Sequence, residues 1–252
     1  MSEKPFFVGY LPPPPALRSF LIVTILSLLA LFAVISLGVA TTQPDPGPGR
    51  LAGRATVTGV LQTLPYPWVH VTEGTELLPA GTPVLLSALN KAGVQGRTEG
   101  LDGALVQVSG VQTLRGDMEL LQLRGGTNGL SALEGATPPE MMPFEVEDLG
   151  RWRVEGEICD GKCYAGAMHP GTGLAHRACA NLCLLGGVPP VFVSAAPVAG
   201  EDFLLIADAD GGPVTDLVLD HVAVYVSVEG RIERRGGLLV FLLDTDTLKA
   251  LR

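Results

Sequence analysis

The chain has 252 residues, of which 47% are hydrophobic and 17% charged, so it is too apolar to be disordered throughout. Its formal net charge of −9 gives no electrostatic footprint for nucleic acid, and we expect no nucleic-acid partner. Two small domains fit into this length once a membrane segment is set aside. The composition therefore predicts a membrane segment together with compact, strand-rich parts.

The first element is an uncharged apolar run, residues 20–40, which is long enough to cross a hydrocarbon core of about 30 Å. Arg18 precedes the run, and prolines on both sides prevent a helix from extending. We therefore predict a transmembrane helix over residues 20–40, preceded by a short cytoplasmic N-terminus, residues 1–19. The alternative is a cleaved signal peptide, because residues 38–40 (GVA) form an acceptable cleavage site, although signal cores are usually shorter.

The side of the membrane on which the remaining chain lies follows from its length and its cysteines. Basic residues flank the apolar run equally, so the positive-inside rule does not decide the orientation. Long domains translocate largely regardless of charge, and clustered cysteines suit an oxidising compartment. We expect a single-pass protein of the inner (plasma) membrane, with its C-terminal domains in the periplasm or outside. A Pro/Gly spacer, residues 41–49, holds these domains off the bilayer.

Two short phrases occur twice after the spacer. The phrase GRATVTG, residues 53–59, recurs as GRWRVEG, residues 150–156, at an offset of 97. The phrase VQVSG, residues 106–110, recurs as VSVEG, residues 226–230, at an offset of 120, so the second copy holds 23 additional residues. The repeats predict a duplicated β domain. Since function is commonly carried by loops on a rigid scaffold, the additional residues are where we expect the site.

Alternating apolar and polar residues predict five short strands in the first copy, over residues 55–61, 68–72, 84–88, 105–114 and 118–123. Five strands with a glycine inside the long fourth one resemble the OB-fold, a small Greek-key barrel, and a sandwich is the alternative. The predicted fold class is mainly β, with an N-terminal transmembrane helix followed by two small OB-like β-barrel domains. The second domain carries a Cys/His-rich helical insertion. The domains span residues 50–124 and 150–252, and an acidic linker, residues 125–149, joins them.

The insertion contains all four cysteines and two of the four histidines. Residues 174–185 have helix-forming composition between glycines, and a helix there places His176, Cys179 and Cys183 on one face. Cys163 precedes them across a glycine-rich loop. The candidate metal ligands are Cys163, His176, Cys179 and Cys183, with Cys159, Met168 and His169 as additional candidates.

Three interpretations of this cluster remain open. Thiolate and imidazole ligands suit copper or zinc, and copper is favoured in a periplasmic protein. The alternative is two disulfides, in which each cysteine of the helix pairs with one of the earlier cysteines, Cys159 and Cys163. The third interpretation is a redox-active thiol pair, whose thiolates are favoured by the helix N-terminus and by Lys162, His176 and Arg177.

The segment from Lys162 to Pro190 resembles a signature of membrane-anchored bacterial envelope proteins, KC..G.M.PG....HR.CA..C..GG.PP. Residues 4–12 (KPFFVGYLP) are similar to the same group, so the resemblance covers about a third of the chain. It implies no established activity. Cys159 lies outside the signature, which the other three cysteines and His176 match, and this mismatch favours metal binding over two disulfides.

No nucleophile elbow, P-loop or dinucleotide-binding phrase occurs, and we expect His70 and His221 to be ordinary strand residues. The leading hypothesis is a non-enzymatic, membrane-tethered periplasmic protein that binds copper or zinc through its Cys/His site. It would be an accessory or assembly factor of a membrane redox complex, with a protein partner in the membrane or the periplasm. The alternatives are a thiol-disulfide oxidoreductase using Cys179 or Cys183, and a structural docking protein with two disulfides.

Overall fold

The computed structural model describes residues 14–42, 46–133, 135 and 145–251. The chain forms two separate units, Met1–Asp45 and Pro46–Arg252. Within the described residues the first unit contains one apolar helix, and the second contains two β-sheets. The predicted mainly β fold with an N-terminal apolar helix is therefore confirmed at this level.

Helix α1 spans Pro15–Thr42 and has no buried residue. It begins at a proline, which suits the first turn of a helix because that turn needs no amide donor at this position. Among the described residues it is the one helix long and apolar enough to cross a membrane, a property that a signal sequence shares. The helix is longer than predicted and includes the first two residues of the predicted spacer; residues 1–13 and 43–45 lie outside the described ranges.

The first sheet contains the five predicted strands, and all five are confirmed. They pair in the order β1-β2-β3-β5-β4, and β4 also pairs with β1. Strands β3 and β5 run parallel, whereas the other pairs in this ring are antiparallel. A short sixth strand pairs with β4. The elements are β1 (Arg50–Gln62), β2 (Trp68–Glu73), β3 (Pro83–Ser87), α2 (Gln95–Thr98), β4 (Leu105–Arg115), β5 (Met118–Leu123) and β6 (Leu130–Ala132).

The second sheet is a closed barrel of five strands in the order β7-β8-β9-β11-β10. Its strands β9 and β11 run parallel, as β3 and β5 do in the first sheet. Strand β7 begins within the stretch predicted to be a linker, and β6 also lies in that stretch. The elements are β7 (Val146–Asp160), α3 (Arg177–Leu185), β8 (Pro190–Val198), β9 (Glu201–Ala207), α4 (Thr215–Val218), β10 (Tyr225–Arg235) and β11 (Leu238–Ala250).

The repeated phrases occupy matching positions in the two sheets. The first phrase lies on β1 and on β7, and the second lies on β4 and on β10. A Cβ atom on Gly59 of β1 would overlap the carbonyl group of His70 on β2, and one on Gly156 of β7 would overlap that of Val193 on β8. Each glycine therefore permits a close approach between the first two strands of its sheet.

The two sheets share a hydrophobic core. Buried side chains of β2, β3 and β5 pack against buried side chains of β8, β9 and β11, which makes Pro46–Arg252 one compact unit. The hydroxyl of Tyr66 accepts a hydrogen bond from the amide of Val214 at 2.9 Å and lies 2.8 Å from the hydroxyl of Thr215. The core consists mainly of Trp68, Leu85, Met118 and Leu120 on one side and Val191, Phe203, Leu205, Val240 and Leu242 on the other.

The Tyr66 contact gives a test of this junction. Tyr66→Phe leaves the buried amide of Val214 without its acceptor, so we expect the free energy of unfolding to fall by about 1–3 kcal/mol. Urea unfolding of the full chain in a mild detergent, followed by tryptophan fluorescence, measures the change. Tyr225→Phe is the matched control, because the Tyr225 side chain is exposed and its substitution should leave stability unchanged. Equal effects of the two substitutions would contradict the role of Tyr66.

Candidate metal centre

The candidate centre lies in the connection between β7 and β8, residues 161–189. The corresponding connection between β1 and β2 is far shorter, residues 63–67. After β7 the chain makes a π-helical turn, Cys163–Ala167, then a 3-10 turn, Leu174–His176, and then enters α3. The predicted helix over residues 174–185 is therefore confirmed, with a 3-10 first turn.

Three cysteine sulfurs form one group in this connection. The Sγ atoms of Cys163, Cys179 and Cys183 all lie within 4.8 Å of one another. Cys163 and Cys183 are buried against Val188, whereas Cys179 is half-buried. A metal–sulfur bond of about 2.3 Å separates three trigonal sulfur ligands by about 4.0 Å, which this spacing accommodates. All four cysteines are free, so the structure contains neither disulfide of the two-disulfide alternative.

A second group shares Cys163 with the first. The ligand atoms of Asp160, Cys163 and His176 lie within 4.8 Å of one another, and all three residues are buried. His176 Nε2 lies 2.9 Å from Asp160 Oδ2, and the two side chains are 1% and 0% exposed. Asp160 Oδ1 accepts a hydrogen bond from the amide of Cys163 at 2.9 Å. The structure therefore pairs His176 with a carboxylate and places it in a different group from the two helical cysteines.

Two lysines connect the cysteine group to the first sheet. Lys91, in the loop between β3 and α2, has its Nζ atom 2.6 Å from Cys179 Sγ and 3.9 Å from Cys183 Sγ. Lys162, which precedes Cys163, donates hydrogen bonds from Nζ to the carbonyl groups of Ala88 at 2.8 Å and of Asn90. The centre consequently lies where the insertion of the second sheet meets a loop of the first.

The loop that carries Lys91 is held in place by hydrogen bonds to the residues that follow α3. The amide of Gly93 donates to the carbonyl of Gly186 at 2.8 Å, and Gln95 Nε2 donates to the carbonyl of Gly187 at 2.6 Å. A Cβ atom on Gly186 would overlap the Lys91 carbonyl group, so glycine is required there. These contacts fix the lysine against the helix that supplies two of the sulfurs.

The two buried sulfurs of the group have opposite acid–base behaviour. The hydrogen bond between Cys163 and Cys183 raises the pKa of the Cys163 thiol, and burial and the Asp160 carboxylate raise it further. The same hydrogen bond lowers the pKa of Cys183 below its ordinary value, and the Lys91 ammonium adds to this effect against the opposing effects of burial and Asp160. Of the two, Cys183 therefore loses its proton more readily, and Cys163 less readily.

The pKa values of the two lysines, Lys91 and Lys162, also depend on the neighbouring sulfurs. The hydrogen bond to Cys179 raises the pKa of Lys91, which keeps this exposed side chain positively charged. Burial lowers the pKa of Lys162, while the nearby sulfurs of Cys183 and Cys163 oppose that shift. The centre thus combines sulfur atoms with positive charge from two directions.

The additional candidate ligands lie elsewhere. Cys159 is buried in the shared core and donates to Glu157 Oε1 at 3.1 Å, and burial together with Glu157 raises its pKa well above the ordinary value. His169 belongs to neither group of candidate ligands, and both Met168 and His169 are exposed. Arg177, predicted to favour thiolates, instead donates to the carbonyl of Asp220 at 2.7 Å.

The remaining histidines have different positions. His70 lies on β2, as predicted, and its Nδ1 atom is 3.2 Å from the carbonyl oxygen of Gly236. His221 ends a 3-10 turn, Leu219–His221, so its prediction as a strand residue is wrong.

Two residues of the centre were missed by sequence reasoning. Asp160 stands between Cys159 and Cys163 in the sequence, and a carboxylate among cysteines is a local signal that could have been used. Lys91 has no such signal, because its proximity to Cys179 depends on the packing of two segments far apart in the chain.

No protein-family model, curated protein or solved structure gives a significant match to the chain.

The acid–base assignment gives a second test. In the reduced, metal-free protein we expect the Cys183 thiolate to form at a lower pH than the thiolate of an ordinary cysteine. Cys163→Ala removes the donor of the hydrogen bond and should move that titration to higher pH. Thiolate ultraviolet absorbance against pH measures it, and Cys159→Ala is the control that should leave this step in place. A titration unaffected by Cys163→Ala would refute the assignment.

Proposed function

We propose that this protein is a membrane-anchored copper-binding protein whose centre of Cys163, Cys179 and Cys183 holds Cu(I). It would act as an accessory or assembly factor of a membrane redox complex rather than as an enzyme. The observation that carries the proposal is the group of three free cysteine sulfurs within 4.8 Å of one another, contributed by two elements of one insertion.

The number and type of ligands favour Cu(I) over zinc. Thiolates are soft ligands that suit Cu(I) and zinc, but structural zinc sites almost always have four protein ligands. The sulfur group offers three. His176 and Asp160, which lie beside Cys163, already bond to each other, so recruiting either as a fourth ligand would break a buried contact. A three-coordinate Cu(I) ion needs no such change.

The charges around the sulfurs support a bound cation with thiolate ligands. Three thiolates around Cu(I) leave net negative charge, which the Lys91 ammonium beside Cys179 and Cys183 would offset. A metal ion bound to both Cys163 and Cys183 would replace the hydrogen bond between them. Metal binding would therefore displace protons and strengthen as the pH rises.

The buried Asp160–His176 pair supports the same function by orienting a ligand. Asp160 Oδ1 accepts a hydrogen bond from the backbone amide of Cys163. The other carboxylate oxygen, Oδ2, lies 2.9 Å from His176 Nε2. Partners of this kind fix the direction of metal ligands in many proteins. We assign to this pair the positioning of Cys163 at the start of the insertion.

The proposed role as an accessory factor rests on unequal access to the ligands. Cys163 and Cys183 are buried, whereas Cys179 is half-buried and lies on the exposed side of the group. A protein that delivers a metal ion must exchange its ligands one at a time with those of the recipient. Cys179 is the ligand at which we expect this exchange to begin.

The scaffold is proposed to be a duplicated pair of OB-like barrels. Both sheets have the same strand order, the same parallel pair and matching glycines at the close approach of their first two strands. The strand order agrees with a five-stranded Greek-key barrel. On this proposal the first barrel is a docking partner for the second, and the inserted loop of the second carries the chemistry.

The membrane assignment is also part of the proposal. Helix α1 would remain as an uncleaved anchor, with the second unit in the periplasm, and the signature that spans Lys162 to Pro190 would be that of membrane-anchored envelope proteins. The length and exposure of α1 support the anchor. A compartment with available copper suits a soft-ligand centre.

Metal loading tests the function directly. The full chain, purified in detergent and kept reduced without oxygen, should bind one equivalent of Cu(I). Serine in place of Cys163, Cys179 or Cys183 should remove most of this copper, because each substitution leaves two sulfur ligands. Elemental analysis after removal of unbound metal measures the stoichiometry, and Cys159→Ser is the matched control that should retain it.

Two outcomes would contradict the copper assignment. Reduced protein that retains neither copper nor zinc would refute a metal centre at these sulfurs. If the protein retains zinc in preference to copper, and a His176→Ala variant loses that zinc, the site is a four-ligand zinc site and not a three-sulfur copper site.

The second candidate function is thiol-disulfide exchange, which the lowered pKa of Cys183 favours. A thiol that ionises readily, beside the half-buried Cys179, is the arrangement that exchange requires. This function would replace metal binding if the reduced protein held no metal and reacted rapidly with a small disulfide near neutral pH through Cys179 or Cys183.

The anchor has its own test. We expect the protein to sediment with membranes, to resist extraction by alkaline carbonate, and to retain the mass of the uncleaved chain, because α1 is long enough to span a bilayer. A reporter that is active only in the periplasm, fused after the second unit, reads the orientation. A soluble product beginning near Thr41 would show instead that α1 is a cleaved signal sequence.

A further inference from the structure

The hydrogen bond between Lys91 and Cys179 is shorter than an ordinary hydrogen bond to sulfur. Their Nζ and Sγ atoms are 2.6 Å apart. Hydrogen bonds between nitrogen and the smaller oxygen atom usually measure about 2.7–3.2 Å. The distance from the same nitrogen to Cys183 Sγ, 3.9 Å, is ordinary. The short contact is therefore specific to one of the two helical cysteines.

The surrounding structure holds this contact from both sides. Lys162 donates to the carbonyl group of Asn90, immediately before Lys91, and Gly93 donates to Gly186 immediately after α3. Asn90 has φ at 61°, in the left-handed region, which turns the chain so that Lys91 faces the helix. The lysine cannot withdraw its backbone without breaking these hydrogen bonds.

We propose that Lys91 and Cys179 are a site of oxidative cross-linking, at which dioxygen converts the pair into a covalent Nζ–O–Sγ bridge between the two sheets. Two single bonds that meet at a bent oxygen atom fit between the nitrogen and the sulfur at their present separation. Lys91 is exposed and Cys179 is half-buried, so a small oxidant reaches the pair from solvent. The other three cysteines are buried.

The reaction balances with one molecule of dioxygen. Counted as amine and thiol, or as ammonium and thiolate, the pair carries three hydrogens on nitrogen and sulfur. One oxygen atom enters the bridge through new N–O and O–S bonds, one hydrogen stays on nitrogen, and the second oxygen leaves as water with the other two. Nitrogen and sulfur each lose two electrons, and dioxygen accepts the four. Thiol reductants reverse the step by reducing the O–S and N–O bonds.

The bridge has a consequence for the centre that rests on the proposed function. Cys179 is the most accessible sulfur of the group, and its sulfur cannot serve as a thiolate ligand while it is bonded to oxygen. Two sulfurs, those of Cys163 and Cys183, would remain. Oxidation would thus switch the centre from three sulfur ligands to two and fasten the Lys91 loop to α3.

Intact mass of the metal-free full chain in detergent tests the bridge. After exposure to air we expect a gain of one oxygen atom less two hydrogens, absent from protein kept without oxygen and removed by dithiothreitol. Proteolysis should yield one cross-linked species joining the peptides that contain Lys91 and Cys179. Lys91→Arg and Cys179→Ser should each abolish the gain, whereas Cys183→Ser, which removes the more distant sulfur, should retain it.

Other products would overturn the proposal. A gain of oxygen confined to the Cys179 peptide would be a sulfenic acid, and a loss of two hydrogens without oxygen would be a disulfide or a direct nitrogen–sulfur bond. Unchanged mass in air would also refute it.

The test separates this proposal from the copper site. If the reduced, oxygen-free protein fails to bind copper, the proposed function is refuted but the bridge is not. If the protein binds copper but forms no bridge in air, the bridge is refuted and the proposed function is not. If both hold, air-oxidised protein should lose its copper binding and regain it with dithiothreitol. Lys91→Arg protein, in which this bridge cannot form, should show no loss of copper binding that dithiothreitol reverses together with loss of the cross-linked species.

Discussion

The centre depends on the packing of two β-sheets around one hydrophobic core. Trp68, Met118 and neighbouring buried side chains of the first sheet pack against buried side chains of the second sheet. This packing fixes the relative position of the two sheets. Only with that position fixed can a loop of the first sheet bring Lys91 to the sulfurs of an insertion in the second. The sulfurs belong to the insertion of the second sheet, but the Lys91 ammonium beside them belongs to the first.

Within the centre, burial and charge divide the roles of chemically identical residues. Cys159 lies in the shared core beside Glu157, which keeps it a neutral thiol. Cys183 receives a hydrogen bond from Cys163 and faces Lys91, so it is the cysteine that ionises most easily of this pair. Four cysteines in 25 residues therefore yield one structural thiol and a group of three, a division set by neighbours and not by spacing along the chain.

The sequence predicts elements whose causes are local. The apolar run of α1, the alternating strands of the first sheet and the helix that places Cys179 and Cys183 one turn apart all follow from periodicity. Periodicity does not predict the pairing of His176 with Asp160. Helical spacing places His176 on the same face as the cysteines, but in the structure its ring contacts the buried Asp160 carboxylate. Lys91 was beyond prediction, since its contact exists only after two distant segments pack.

The half-buried position of Cys179 connects the two kinds of chemistry that we propose for it. A buried thiolate group protects a bound metal ion but prevents its release, whereas a fully exposed one is easily oxidised. Cys179 lies between these limits, half-buried and against a lysine. On the proposed function, the same access that would allow a partner to take a metal ion through Cys179 would also admit dioxygen. A reversible bridge to Lys91 would confine that oxidation to a product that thiols can reduce, whereas further oxidation of a lone sulfur becomes irreversible.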